Sequence, residues 1–329
     1  MTGGQLSALE RKANLTHEDR IKIIGHCEMN TDFDSSNRKI RDHLKFIISN
    51  SPSMPGLIHC NALQLILHRS YEKELADLWQ EQIEKHGDDN FVLTNAAAFF
   101  KKHNHGDEQR AIRLCKRVLS RDPKNERALF VLIRSINSML FSANEVEEKK
   151  VTAQNLFRYL TRFWEVIENP HHKQSAAADL ALVAVEAGYY PEVFHFSRIV
   201  IESGTILSDS FDNLSNIHKA HTAAGLAHLQ SGDRANAINE LFCSAHSEGL
   251  RGPMAQSDPL PFLLHEFAKR QDFEPILEFK EKTINNWKES YVLESFVEAA
   301  REKQQPCIDE NSLLIASKLT EYYEYEVRL

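Results

Sequence analysis

Along almost the whole chain, apolar residues recur three and four positions apart, and strict alternation occurs only in the final few residues. This spacing predicts about fifteen α-helices and no β core. The helices fall into pairs: 16–27 with 35–48, where Asp34 or Ser35 is placed to cap the second member, then 56–67 with 71–85. A third pair, 90–102 with 107–120, ends at Asp122-Pro123, where proline stops the helix. The pairs 126–140 with 144–167, and 173–187 with 191–202, follow; Pro191 suits a first helical turn. Further pairs are 212–230 with 233–247 and 260–269 with 273–287, after which helices at 289–303 and 311–323 close the chain. Phe99, Phe100, Phe157, Phe163, Trp164 and Trp287 sit at helical spacing and read as core.

One local design recurs within these pairs: a small-residue helix, a glycine turn and a second helix with an apolar stripe. Ala223-Ala224-Gly225-Leu226-Ala227 precedes Gly232-Asp233, Ala237-Ile238 and Leu241. Asn95-Ala96-Ala97-Ala98-Phe99-Phe100 precedes Gly106-Asp107, Ala111-Ile112 and Pro123, and Leu180-Ala181-Leu182 precedes Ala187-Gly188-Tyr189-Tyr190 and Val193. Small residues let two antiparallel helices approach closely, and such a hairpin must stack on its neighbours to bury its apolar face. The turn glycines lie 82 residues apart from Gly106 to Gly188 and 44 apart from Gly188 to Gly232, so the unit is longer than the 34-residue tetratricopeptide period.

Residue identities nevertheless resemble tetratricopeptide repeats. That family sets a small residue on the first helix, alanine at the start of the second twelve positions on, and proline twelve beyond. Here Gly225 is followed at twelve by Ala237, Ala181 by Val193, and Ala111 by Pro123. His221 and His228 stand where the family often has aromatic residues. The helix from Asn95 to Phe100 and the segment Ile276-Leu277-Glu278-Phe279…Asn286-Trp287 are similar to those of bacterial tetratricopeptide proteins without assigned function. The resemblance implies an all-α, right-handed α–α superhelix of about seven hairpins over residues 16–303, with residues 1–15 as an N-terminal extension and 304–329 as a capping helix and tail. It also implies a concave groove gripping a peptide or protein segment. Carried over, its lining is Phe91, Thr94, Ala98, Lys101 and Lys102, then Phe130, Arg134, Asn137 and Ser138, then Lys219, Thr222, Leu226, Leu229 and Gln230. Asn95 matches one position of the family's carboxylate-gripping subset, whose companion is the apolar Val131 here.

The net charge of -8 is unevenly distributed. Residues 101–134 carry ten Lys/Arg against four acids, a local +6, whereas 201–329 carry twelve against 21, a local -9. Either these charges solvate outer faces, or the basic segment attracts an acidic partner. Lys101, Lys102 and Arg134 could converge on one acidic segment, with Phe130 and Asn137 beside them. The tail Glu321-Tyr322-Tyr323-Glu324-Tyr325-Glu326 is a ready occupant, in cis or from a neighbouring chain in a homo-oligomer. The two helices of residues 16–50 have balanced charge, which argues against nucleic-acid contact.

Hydrophobic content of 42% with 12 Gly and 10 Pro fits an ordered chain, and the lack of an eighteen-residue apolar run predicts no membrane span. Five scattered cysteines without a CxxC pair suit a reducing, cytoplasmic compartment. His218, His221 and His228 share one helix, yet further convergent metal ligands are missing, so packing roles are expected for them and no cofactor is implied. His103, His105, His171 and His172 read as turn or capping residues, Cys115 and Cys243 as buried thiols, and Glu147-Glu148 as helix exterior. No phosphate loop or nucleophile elbow is present. The residues favour a non-catalytic adaptor. A cytoplasmic receptor for a short signalling peptide, and an enzyme whose site is assembled from several helices, are the alternatives.

Overall fold

The computed structural model describes residues 8–9, 11–12, 14–28, 33–54, 69–102, 107–143, 145–204, 211–248, 260–282 and 291–304. Among them are fourteen α-helices and no strand. They are α1 His17–Glu28, α2 Phe33–Asn50, α3 Arg69–Lys85, α4 Asn90–Lys102, α5 Glu108–Arg121, α6 Glu126–Ser142 and α7 Val146–Val166. Then come α8 Pro170–Ala187, α9 Tyr190–Gly204, α10 Phe211–Gln230, α11 Arg234–Glu248, α12 Leu260–Lys269, α13 Glu274–Lys282 and α14 Tyr291–Glu302. The all-α hairpin array is as the periodicity predicts. The expected helices at 56–67 and 311–323, the Gly106 turn, Trp287 and the tail lie outside the described residues.

Helix ends follow local chemistry. At α1, Thr16 and Asp19 cap reciprocally: the Thr16 amide donates to Asp19 Oδ2 at 3.0 Å and the Asp19 amide to Thr16 Oγ1 at 3.1 Å. These bonds, with Lys12 beside them, hold the Asp19 carboxyl below its ordinary range. Two expected starts are corrected. α2 begins at Phe33, ahead of the anticipated Asp34 or Ser35 cap, and α8 begins at Pro170 rather than Lys173 because Asn169 accepts from the amides of His171 and His172. Four helices end in the same paired-bond cap, with one residue in left-handed backbone. Gly188 and Gly232 fill it for α8 and α10, at φ 76 and 81. Gln271 and Lys303, at φ 58 and 54, fill it for α12 and α14 without glycine's freedom.

The chain forms two compact units, one ending at Ser135 and the other beginning at Ile136. In the first, α1 to α5 pack each on the next, and Val92–Phe100 of α4 are buried without a break. Phe99 and Phe100 lie edge to face at 5.3 Å, with Trp79 of α3 beside Phe99.

In the second unit each helix from α7 to α14 packs on the next, and α8 also packs on α10, as α10 and α14 do on α12. Ala176, Ala177, Ala178 and Ala181 of α8, and Ala220, Ala223, Ala224 and Ala227 of α10, are all buried. Phe157 and Trp164 of α7 join Tyr189 and Phe196 of the α8–α9 hairpin in edge-to-face contacts at 5.3–6.0 Å. Polar groups enter the α8–α10 contact in matched pairs. Lys219 Nζ donates to Asp179 Oδ1 at 2.9 Å, both side chains buried, and Asn216 Nδ2 donates to Ser175 Oγ at 2.9 Å.

A Cβ at Gly225 would lie 2.7 Å from Leu263 Cδ2 and 3.2 Å from Glu240 Cβ, so α11 and α12 both press on α10 there. Gly225→Leu is expected to destabilise the second unit by roughly 1–3 kcal/mol in denaturant unfolding. The buried ion pair predicts a different pattern. Lys219→Met alone strands Asp179 and should cost about 3–5 kcal/mol, whereas combining it with Asp179→Leu should restore most of that stability. Additive losses in the double variant would contradict this.

Candidate functional site

The expected groove residues separate into two groups. Thr94 and Asn95 of α4 are closed off: Thr94 Oγ1 bonds the Asn90 carbonyl at 2.8 Å, and Asn95 Nδ2 donates to the carbonyls of Pro52 and Met54 at 2.8 and 2.9 Å. On α10, Lys219 is buried against Asp179, Thr222 Oγ1 meets Ser244 Oγ at 2.8 Å, and Leu226 is buried. The expectation that these five line an open groove is corrected, since α4 and α10 are enclosed along these stretches by packed helices. Gln230 is exposed at the end of α10, Lys101 is half-buried, and the Lys102 side chain lies outside the described residues.

Of the others, Ala98 of α4 and Leu229 of α10 are likewise buried rather than groove-lining, Phe91 is exposed near the start of α4, and the rest lie on α6. Asn125 starts this helix by accepting from the Ala128 amide at 3.0 Å. Arg127, Phe130 and Arg134 then follow at i, i+3 and i+7, with Phe130 buried and the two arginines half-buried; the expected Asn137 and Ser138 belong to the second unit. The α4 face meets this strip at Phe91, where the Arg127 guanidinium lies over the ring at 4.9 Å. Phe91 is 43% exposed, one of four large apolar side chains in the open among the described residues. Arg134 covers the Phe130 ring at 5.6 Å. Burial pulls the Arg127 pKa down, with neighbouring Glu126 opposing, and its buried NH1 has no hydrogen-bond partner among the described residues. The strip is therefore one exposed ring, Phe91, beside a partly buried guanidinium, with Phe130 itself buried, and a guanidinium so placed takes carboxylates. Arg127 was not among the expected residues, although its spacing to Phe130 and Arg134 carried the signal.

Several groups with reactive potential are taken up by packing or pairing. His218 Nδ1 lies 3.0 Å from the Ser244 carbonyl and 2.9 Å from its Oγ, within the core. His221 pairs with Glu240 at 2.6 Å and His228 with Asp233 at 3.3 Å. Among the described residues, no group of three His, Cys, Asp or Glu could hold a metal ion, and no helix is long and apolar enough to cross a membrane. Burial pushes the Cys115 thiol far above its ordinary range; burial and then Glu240 push Cys243 up. His172 is held below the usual histidine range by burial and then by His171. An open hollow of about 640 Å³ lies at the α3–α4 turn, around His86, Gly87, Asp88 and Arg117.

No family model matches the chain, and no curated protein matches its sequence. Among solved structures, it is similar to a tetratricopeptide repeat protein from Parabacteroides merdae ATCC 43184, at 14% identity and a TM-score of 0.42. The likeness covers 86% of this chain and 98% of that one. Similarity at this level assigns neither family membership nor activity.

The thiols offer a direct check of the packing. In the native protein, Cys27 and Cys115 should resist a neutral-pH thiol reagent, while the half-buried Cys243 reacts slowly, as read by peptide mass spectrometry after timed quenching. Rapid modification of Cys115 without unfolding would contradict its placement.

Proposed function

We propose that this protein is a non-catalytic helical scaffold that holds an acidic, aromatic-bearing protein segment on the α6 strip. The observation that carries the reading is Arg127: a guanidinium partly drawn out of water over the exposed Phe91 ring, with a buried NH1 that has no hydrogen-bond partner among the described residues. An arriving carboxylate compensates the cation on its open side, and aromatic side chains pack on Phe91 beside it. Arg134, half-buried over the buried Phe130 ring seven positions further along α6, adds a second guanidinium two helical turns away. Exposed charge pairs contribute roughly 0–1 kcal/mol each, so the ring contacts must supply the rest of the affinity.

A fluorescein-labelled peptide with the sequence Glu-Tyr-Tyr-Glu-Tyr-Glu-Val-Arg-Leu, that of residues 321–329, serves as probe. In fluorescence anisotropy it should bind the full chain and weaken as salt rises, because screening acts on exposed pairs. Arg127→Glu with Arg134→Glu should lower affinity by about ten-fold or more. Phe91→Ala should lower it without changing the salt dependence. Binding indifferent to all three substitutions, or no binding at low salt, would remove the α6 strip as the site.

A further inference from the structure

Two helices carry single-sign ridges at the closest helical spacing. On α5, Arg113, Arg117 and Arg121 stand at i, i+4 and i+8, and on α14, Glu294, Glu298 and Glu302 do the same. Each ridge spans about 12 Å, at about 1.5 Å per residue, so the two match in length as well as charge. Like charges four apart on one helix repel, so each ridge is unfavourable for its helix alone. A charged ridge of the opposite sign relieves both.

The ridges are open to a partner. Arg113 is 68% exposed and reaches Asp107 only at 4.0 Å. Arg117 and Arg121 share a single carboxylate, Asp88, at 3.9 and 3.0 Å. A Cβ at Gly87 would lie 2.7 Å from the Arg117 guanidinium, so the bare turn lets that arginine lie against it. One carboxylate shared between two guanidinium groups leaves donors over. On α14, Glu294 pairs with Lys280, while Glu298 and Glu302 are exposed and have no ion partner among the described residues.

We infer that the arginine ridge of α5 docks the glutamate ridge of α14 from a second copy of this chain, so that the protein self-associates through electrostatic pairing. The occupant follows from complementarity: same spacing, same length, opposite sign, on helices that belong to different compact units. Every copy carries both ridges, so each copy can offer one ridge and receive the other. The inference is independent of the α6 strip, whose residues are in neither ridge.

Sedimentation velocity of the full chain across a protein dilution series should show a dimer or larger assembly at about 0.05 M salt that dissociates at about 0.5 M. Arg113→Glu with Arg117→Glu and Arg121→Glu should leave monomers, and so should Glu298→Arg with Glu302→Arg. The second variant alters no contact of the α3–α4 turn, so it isolates the ridge even where the first perturbs that turn. Mixed in equal amounts, the two reversed proteins should associate with each other, since each offers the ridge that the other lacks. A wild-type chain that stays monomeric at low salt, an assembly insensitive to salt, or reversed variants that remain monomeric when mixed would each overturn the inference. Arg127→Glu with Arg134→Glu should leave the assembly unchanged while reducing peptide affinity, which separates failure of one reading from failure of the other.

Discussion

Close approach of helices through small side chains is the constraint on which the rest of this structure depends. The facing alanines of α8 and α10 bring two backbones together with little apolar bulk between them, and α4 is similarly enclosed around Ala96, Ala97 and Ala98. Any polar atom drawn into such a contact loses its water and must find a protein partner. That requirement accounts for Asp179 opposite Lys219, for Asn216 against Ser175, and for Asn95 reaching two carbonyls of the 51–54 turn. The same closeness removes the inner helices from the surface, leaving recognition to the helices around them.

Helix existence and pairing were legible because the three-and-four spacing persists through nearly every segment, and Gly188 and Gly232 were legible as turns because only glycine enters left-handed backbone freely. The corresponding turns at Gln271 and Lys303 were not, since tertiary packing imposes there a conformation that the residue type does not advertise. The start of α8 was missed because Asn169 and Pro170 act through cap geometry rather than through apolar periodicity. The candidate site was half legible. The spacing of Phe130 and Arg134 along one helix was readable, though not the burial of Phe130, and Thr94 and Asn95 were misplaced because two polar residues within Val92–Phe100 resembled an accessible face. Their apolar neighbours on both sides pointed to burial, and the polar pair to internal bonding.

Charge illustrates a second limit of reading along the chain. The sum over residues 101–134 treats every cation alike, yet the fold sends them to different fates. Arg110 lies over the Phe100 ring at 3.7 Å and reaches Gln80, Arg127 is drawn over Phe91, and Arg117 and Arg121 converge on Asp88. What remains is organised by helix rather than by segment: a cation–aromatic strip on α6 and an arginine ridge on α5. Sign and spacing on one face carry more information than the total.

The buried pair between Asp179 and Lys219 bears on how such an array can change over evolutionary time. Helical hairpins are often treated as interchangeable modules, gained or lost by duplication. Here the two charges sit on helices of successive hairpins, so removing, inserting or exchanging one of the two would leave an ion in the core without its counterpart. A shuffled array would survive only if both positions changed together, and this part of the chain is therefore bound to be inherited as a block.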